Sequence, residues 1–223
     1  LQKITAMMNF EQARFNMIEQ QIRTWEVLDQ DVLTLLNIVK REDFVPAAYR
    51  TLAFADIEVP LPGGQCMLEP KVEARFLQEL AVRKHERVLE VGAGSGYMAA
   101  LLAHRAASVL TLEISAELVQ FASSNLKRAS VMNVSVSHQD GSRFASEDPF
   151  DVIMLSGSVA QPPRHLLDML KPGGRMGLIV GGEPVMQAQI ITRTGPASFS
   201  SFTLFETVAQ RLQNFAAPSA FKL

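Results

Sequence analysis

The chain has 223 residues, of which 48% are hydrophobic and 20% charged, with a formal net charge of −2 and one cysteine. That length and apolar content suffice for a single sizeable core, and scattered Lys and Arg in a near-neutral balance give no basic field for a phosphate backbone, so nucleic acid is not expected as a partner. A lone cysteine cannot close an internal disulfide, and no apolar run approaches the roughly 20 residues of a membrane span, so no membrane partner is expected and the cytoplasm is the expected location.

The N-terminus has no signal-peptide pattern. Because the chain begins at Leu1, "LQKITAM" (1–7) is given no weight and Met8 is a candidate native start. From 10 to 28, Met17, Ile18, Ile22, Trp25 and Leu28 recur at helical spacing and predict one buried stripe. The Asp29-Gln30-Asp31 cluster offers carboxylates to the free N–H groups of a helix start, predicting a helix over 31–40. Pro46 in "DFVPAAYRTLAF" fits the first turn of a short helix, and Pro70 that of an amphipathic helix through Val72, Phe76, Leu77 and Leu80. Between them "PLPGGQCMLEP" (60–70) reads as a stiff loop centred on two glycines and carrying Cys66. Residues 1–83 are therefore expected to form a helical cap with that loop, and 84–223 the core it covers.

The core segment alternates strand and helix. "RVLEV" (87–91), "SVLTLEI" (108–114), "VSVSHQ" (134–139), "FDVIML" (150–155) and "RMGLIV" (175–180) are short apolar or β-branched runs, each followed by a helical or turn segment. That order predicts an α/β fold whose parallel sheet is covered on both faces. "AQIITRT" (188–194) and "SFTLFETV" (201–208), joined by Gly195-Pro196, predict an antiparallel hairpin added to the sheet.

"VLEVGAGSGYMAALLA" is a strand, a turn made by Gly92, Gly94, Ser95 and Gly96, and a helix opening at Tyr97. Glycines permit positive φ and close ligand approach, and the helix start presents free N–H groups. A dinucleotide fingerprint wants glycine at the sixth position, where Tyr97 stands, which argues against a pyrophosphate cofactor. Glu90 lies inside the strand; alone, it reads equally well as a salt-bridge residue. Glu113 ends the next strand, where a carboxylate can accept both hydroxyls of a ribose. In "HQDGSRF", Asp140 can accept from an adenine amino group, with Gly141 leaving room for the flat ring. Ser156, ending "VIMLS", is a weaker candidate. Together with "LLDMLKPGGRMGLIV", a helix, a Pro-Gly-Gly turn and a strand, these motifs over 87–208 resemble the class I S-adenosyl-L-methionine-dependent methyltransferases. The resemblance implies a Rossmann-like, mostly parallel seven-stranded sheet with a reversed last strand, S-adenosylmethionine as cofactor, and a cofactor site drawn from Glu90, the 92–97 turn, Glu113, Asp140 and Gly141.

The front region narrows the resemblance. "FVP", "AFAD" and the Pro-Gly-Gly-Gln approach, with "GSGY" and "PFDVIML" later, resemble protein-L-isoaspartate O-methyltransferases. That implies methyl transfer to the α-carboxylate of an L-isoaspartyl residue in a damaged protein or peptide, the ester then closing to a succinimide that reopens in part as normal aspartate. Such an acceptor is already an anion at neutral pH, so alignment and exclusion of water, not a general base, are the catalytic work. The family's alignment loop reads Gly-Gln-Thr-Ile-Ser-Gln-Pro. This chain reads Gly64-Gln65-Cys66-Met67-Leu68-Glu69-Pro70, so Leu68, which cannot hydrogen-bond, takes the serine's place and no catalytic residue is assigned. "ETVAQRLQNF" replaces the family's C-terminal Arg-Phe-Val-Pro-Leu. Both departures fall on the acceptor side, which leaves three readings: a weakened isoaspartyl methyltransferase, a methyltransferase for another acceptor, and a cofactor-binding module that acts by interaction.

The four histidines, 85, 104, 138 and 165, have neither metal nor dyad spacing, so no metal is expected and Cys66 reads as a small pocket residue rather than a nucleophile. Trp25 and the methionines read as core. Arg164 and His165, after "QPP", are candidates to meet an anionic substrate. Nothing in the sequence asks for more than a monomer.

Overall fold

The structure, a computed structural model, describes residues 9–216; the 1–7 segment and the Met8 start lie outside the described residues. Asn9 accepts the Gln12 N–H and opens α1 (Phe10–Met17). The stripe over 10–28 does not run as one helix. A wider π turn over Ile18–Ile22 and a tighter 3-10 turn over Arg23–Trp25 follow, and Glu26, at φ 59°, ends the run. That left-handed residue breaks the 3.6-residue period, so Val27 is buried and Leu28, expected in the stripe, is 69% exposed. Trp25 is half-buried and meets Phe205 edge-on at 5.5 Å. Met132, at 88% exposed, departs from the reading of the methionines as core.

Helix α2 (Gln30–Ile38) starts one residue earlier than expected because Asp29, not Asp31, is the cap: its carboxylate accepts the N–H groups of Asp31 at 2.8 Å and Val32 at 3.2 Å. Such a cap contributes about 1 kcal/mol. Pro46 sits just before a 3-10 turn over Ala47–Leu52 rather than inside its first turn. The 60–70 loop is a small hairpin in which β1 (Val59–Pro60) pairs antiparallel with β2 (Cys66–Met67). Helix α3 (Pro70–Leu80) begins at Pro70 and buries Val72, Phe76, Leu77 and Leu80.

Then come β3 (Arg87–Val91), α4 (Tyr97–Arg105), β4 (Ser108–Glu113), α5 (Ala116–Arg128), β5 (Val134–His138), β6 (Phe150–Val159), α6 (Arg164–Asp168), β7 (Leu170–Gly182), β8 (Val185–Arg193) and β9 (Phe199–Thr207). The seven-stranded sheet has the order β5-β4-β3-β6-β7-β8-β9. β5 to β7 are parallel, and β8 is antiparallel to both neighbours. The expected hairpin is present, but the reversed strand is the penultimate one; β9 turns back again and runs with the rest. The expected Pro172-Gly173-Gly174 turn lies inside β7, where the register against β6 shifts between the Phe150↔Leu170 and Val152↔Arg175 pairs.

From β3 the chain moves outward to β5 and then returns to place β6 on the other side of β3. This reversal opens a cleft at the carboxyl ends of β3, β4, β5 and β6, where the sheets of open α/β folds receive ligands. One face of the sheet shares a core with the front helices, through Phe44, Phe76, Tyr97, Met154 and Ile179. The opposite face packs Leu89, Ile153 and Leu155 against Leu166 and Leu167 of α6. Arg41, 0% exposed, crosses this front packing, paired with Glu73 of α3 and donating to the Leu68 carbonyl at 2.7 Å. The loop thus hangs from a charge buried beneath it.

Candidate active site

The cleft holds a pocket with one wall made from strand ends. Glu113 closes β4 and is 6% exposed. One carboxylate oxygen accepts the Gly94 N–H at 2.9 Å and the other the Ser115 N–H at 3.0 Å. Each oxygen keeps room for a further donor, so the pair fits two vicinal hydroxyls. Gly94 can present its N–H this way because the turn runs through positive φ, 94° at Gly92, 52° at Gly94 and 82° at Gly96. A Cβ on Gly96 would also lie 3.3 Å from the Ala122 carbonyl. Asp140, after β5, accepts the Ser142 N–H at 2.9 Å and the Asn214 side-chain amide at 2.8 Å. Partial burial pushes its carboxyl up, but the Ser142 and Asn214 hydrogen bonds outweigh that and hold it below its ordinary value. Gly141 has a different reason from the one expected: a Cβ there would collide with Cγ1 of Val91, so the glycine makes room for β3. His165 braces the same corner, its Nε2 3.1 Å from the Gly141 carbonyl and its ring stacked on Phe215.

The facing wall is the hairpin loop. Gln65, Cys66 and Leu68 line the main pocket, and Met67 with Leu68 lines a smaller adjoining cavity that also contains Glu73, Glu90 and Ser95. Gln210 fastens this loop from the far end of the chain: its amide donates to the Gly64 carbonyl at 2.8 Å and accepts from the Cys66 thiol at 3.2 Å. Burial, with the charge and hydrogen bonding of Glu58 adding to it, pushes the Cys66 thiol up to about 12. The thiol is therefore protonated at neutral pH and a poor nucleophile.

Glu90 is fully buried at the floor, accepting from Thr111 Oγ1 at 2.6 Å and Ser156 Oγ at 2.7 Å. Burial pushes its carboxyl up to about 8 against the pull of those two hydroxyls, with Glu73 and Glu113 adding to the rise. Burial likewise raises Glu73, with the Arg41 guanidinium pulling the other way.

Of the residues singled out from sequence, Gln65, Cys66, Leu68, Gly92, Gly94, Glu113, Asp140, Gly141 and Ser156 meet on the main pocket. Glu90, Met67 and Ser95 face the smaller cavity. Gly96 and Tyr97 line neither. Tyr97 is turned inward by the first turn of α4, 2% exposed, its ring 5.4 Å from Phe44 and under the Arg41 guanidinium. Arg164 is engaged by Asp168 at 2.9 Å on the surface. Among the described residues no group of three or more His, Cys, Asp or Glu is placed to hold a metal ion. Gln210, Arg211, Leu212, Gln213 and Phe215 complete the pocket; they belong to the "ETVAQRLQNF" segment that stands in place of the family's C-terminal motif, from which no individual site residue was singled out. They arrive through one parallel bridge between Ser158 and Arg211, which no local periodicity encodes.

A model of the family "Protein-L-isoaspartate(D-aspartate) O-methyltransferase (PCMT)" matches residues 12–208. The protein-L-isoaspartate O-methyltransferase of Koribacter versatilis is 40% identical over 81% of this chain and 81% of its own, and that of Rhodopseudomonas palustris (strain ATCC BAA-98 / CGA009) 37% identical over 82% and 85%. A crystal structure of a Plasmodium falciparum protein described as a putative protein-L-isoaspartate O-methyltransferase, in complex with S-adenosyl-L-homocysteine, superposes with a TM-score of 0.77 at 21% identity, covering 93% of this chain and 99% of that one, and so matches in fold. With a cleft at the strand-order reversal, a carboxylate on its β4 edge and a family match spanning nearly the whole described chain, this protein belongs to the protein-L-isoaspartate(D-aspartate) O-methyltransferase family.

Proposed function

We propose that this protein transfers a methyl group from S-adenosylmethionine to the carboxylate of L-isoaspartyl residues in proteins and peptides. The observation that carries the reading is Glu113, fixed by the Gly94 and Ser115 N–H groups with both oxygens still able to accept, across the pocket from the hairpin loop. When bound, S-adenosylmethionine supplies an electrophilic methyl group: a carboxylate oxygen forms the O–C bond as the S–C bond breaks, leaving a thioether and a methyl ester with no proton to move.

The chain's own residues bind, orient and exclude water. Glu113 takes the ribose hydroxyls, and Asp140, kept ionised by its donors, takes the adenine amino group. Leu68 and Met67, both buried, keep water from the transfer site. The protonated Cys66 thiol leaves no thiolate to compete with the acceptor for the methyl group. Residues 1–83 act as cap and substrate loop, and 84–223 as the cofactor-binding core. We take a monomer as the acting unit. No helix among the described residues is long and apolar enough to cross a membrane, and a single unpaired cysteine suits the reducing cytoplasm, where we place the protein without a membrane or nucleic-acid partner.

Incubation with methyl-labelled S-adenosylmethionine and matched peptides tests the reading. Label should appear as a base-labile ester on the isoaspartyl peptide and not on its aspartyl counterpart. Equal labelling, or none, overturns it, and labelling of some other acceptor establishes the divergent alternative.

A further inference from the structure

We infer that Arg211 grips the acceptor carboxylate, doing the work of the hydroxyl that Leu68 lacks. This rests on the isoaspartyl reading above. The segment after β9 is pinned to the end of β6: Ser158 N–H donates to the Gln210 carbonyl at 2.8 Å, Leu212 N–H donates to the Ser158 carbonyl at 2.9 Å, and Ser158 Oγ donates to the Ala209 carbonyl at 2.7 Å. Arg211 lies between these anchors, so its backbone is fixed. Arg211 borders both the main pocket and a neighbouring groove lined by Glu58, Glu183 and Met186.

Charge singles Arg211 out. Glu113 and Asp140 make the nucleoside side of the pocket anionic, and among the described residues Arg211 is the one Lys or Arg on its wall. Nη2 donates to the Gly181 carbonyl at 2.8 Å. Nη1 is buried with no acceptor among the described residues. A buried guanidinium nitrogen left without an acceptor is unfavourable, and a carboxylate, presenting two oxygens to the planar fork, is the ligand best shaped to relieve it.

The test uses the protein saturated with S-adenosylhomocysteine and titrated with two peptides, one isoaspartyl and one with that carboxylate replaced by carboxamide. The wild type should prefer the carboxylate at least tenfold. Arg211→Met should abolish the preference and Arg211→Lys keep part of it, with affinity for S-adenosylhomocysteine unchanged in both, which also reports that they are folded. If Arg211→Met instead weakens S-adenosylhomocysteine tenfold and keeps the peptide preference, the carboxylate it holds is the cofactor's and the inference fails. A wild type that methylates the isoaspartyl peptide alongside an Arg211→Met variant with full preference overturns the inference alone. A wild type that neither binds nor methylates it overturns the isoaspartyl reading as well.

Discussion

The wall proposed to take the nucleoside, built from Glu113, Asp140 and the 92–96 turn, is held mostly by main-chain N–H groups of the loops that carry it, whereas the wall proposed to take the acceptor is held by side chains that reach across the chain. Glu113 is oriented by Gly94 and Ser115 and Asp140 by Ser142, all within or next to the strand-end loops, with the Asn214 side chain the one distant group that joins them. Cys66 meets Gln210 across 144 residues of sequence, and Leu68 hangs from Arg41. A wall held by backbone keeps its geometry under substitution of its neighbours, while one held by side chains changes shape with each of them.

The comparison breaks most visibly at Arg41. Removing one partner from a buried ion pair leaves the other charge unmet, so Arg41→Met should cost about 3–5 kcal/mol in urea unfolding. A loss under about 1 kcal/mol, the value of an exposed pair, would mean that the loop does not hang from this charge. Glu113→Ala tests the opposite wall. It removes charge-assisted bonds worth about 1.5–3 kcal/mol each, so affinity for S-adenosylhomocysteine should fall at least tenfold by calorimetry, and unchanged affinity would remove Glu113 from the ribose.

Restoring the family residues sharpens the contrast. With Arg211 already holding the acceptor carboxylate, Cys66→Thr with Leu68→Ser should change the rate on an isoaspartyl peptide only a few-fold and leave cofactor affinity nearly unchanged, whereas a gain of about ten- to a hundredfold, the worth of one hydrogen bond to a charged group, would mean that the carboxylate is not yet held.

The floor carries a pH signature. Burial raises Glu90 from its ordinary 4.5 to about 8 in the folded state, so between those values the folded state holds the proton more tightly than the unfolded one. Stability contributed by this group is present below that window and is lost as pH rises through it, by up to about 1.4 kcal/mol per pH unit. Glu90→Gln should therefore gain on the wild type between pH 5 and pH 8 in denaturant titrations, and a parallel pair of curves would show that Glu90 is not raised. The smallest effect is expected at Gln210→Ala. Losing the Gly64 and Cys66 contacts should weaken protection of the 63–66 amides against hydrogen exchange and raise the peptide KM a few-fold, each such bond being worth about 1 kcal/mol.

The strands and the nucleoside wall were legible because they are local. β-branched runs, glycines that must reach positive φ, and carboxylates at strand ends lie within a few residues of the groups they serve, as at Gly94 and Glu113. Misreadings arose where a local rule met a distant partner. Tyr97 stands in the turn motif, yet packing against Phe44 and Arg41 turns it away from the pocket. Gly141 was assigned to a ligand's ring, but Val91 is what excludes a side chain there.

By itself the sequence determined the strand-helix alternation, the glycine turn with its carboxylates, and the family resemblance, since all depend on the spacing of residues near one another in the chain. Tertiary structure decided how the pocket is closed. The bridge from Ser158 to Arg211 brings Gln210 onto the loop and Arg211 onto the pocket wall, and Arg41 suspends Leu68 from beneath. Contacts between residues so far apart form only when the sheet order and its packing set the distance between them, and no periodicity in the chain records that distance.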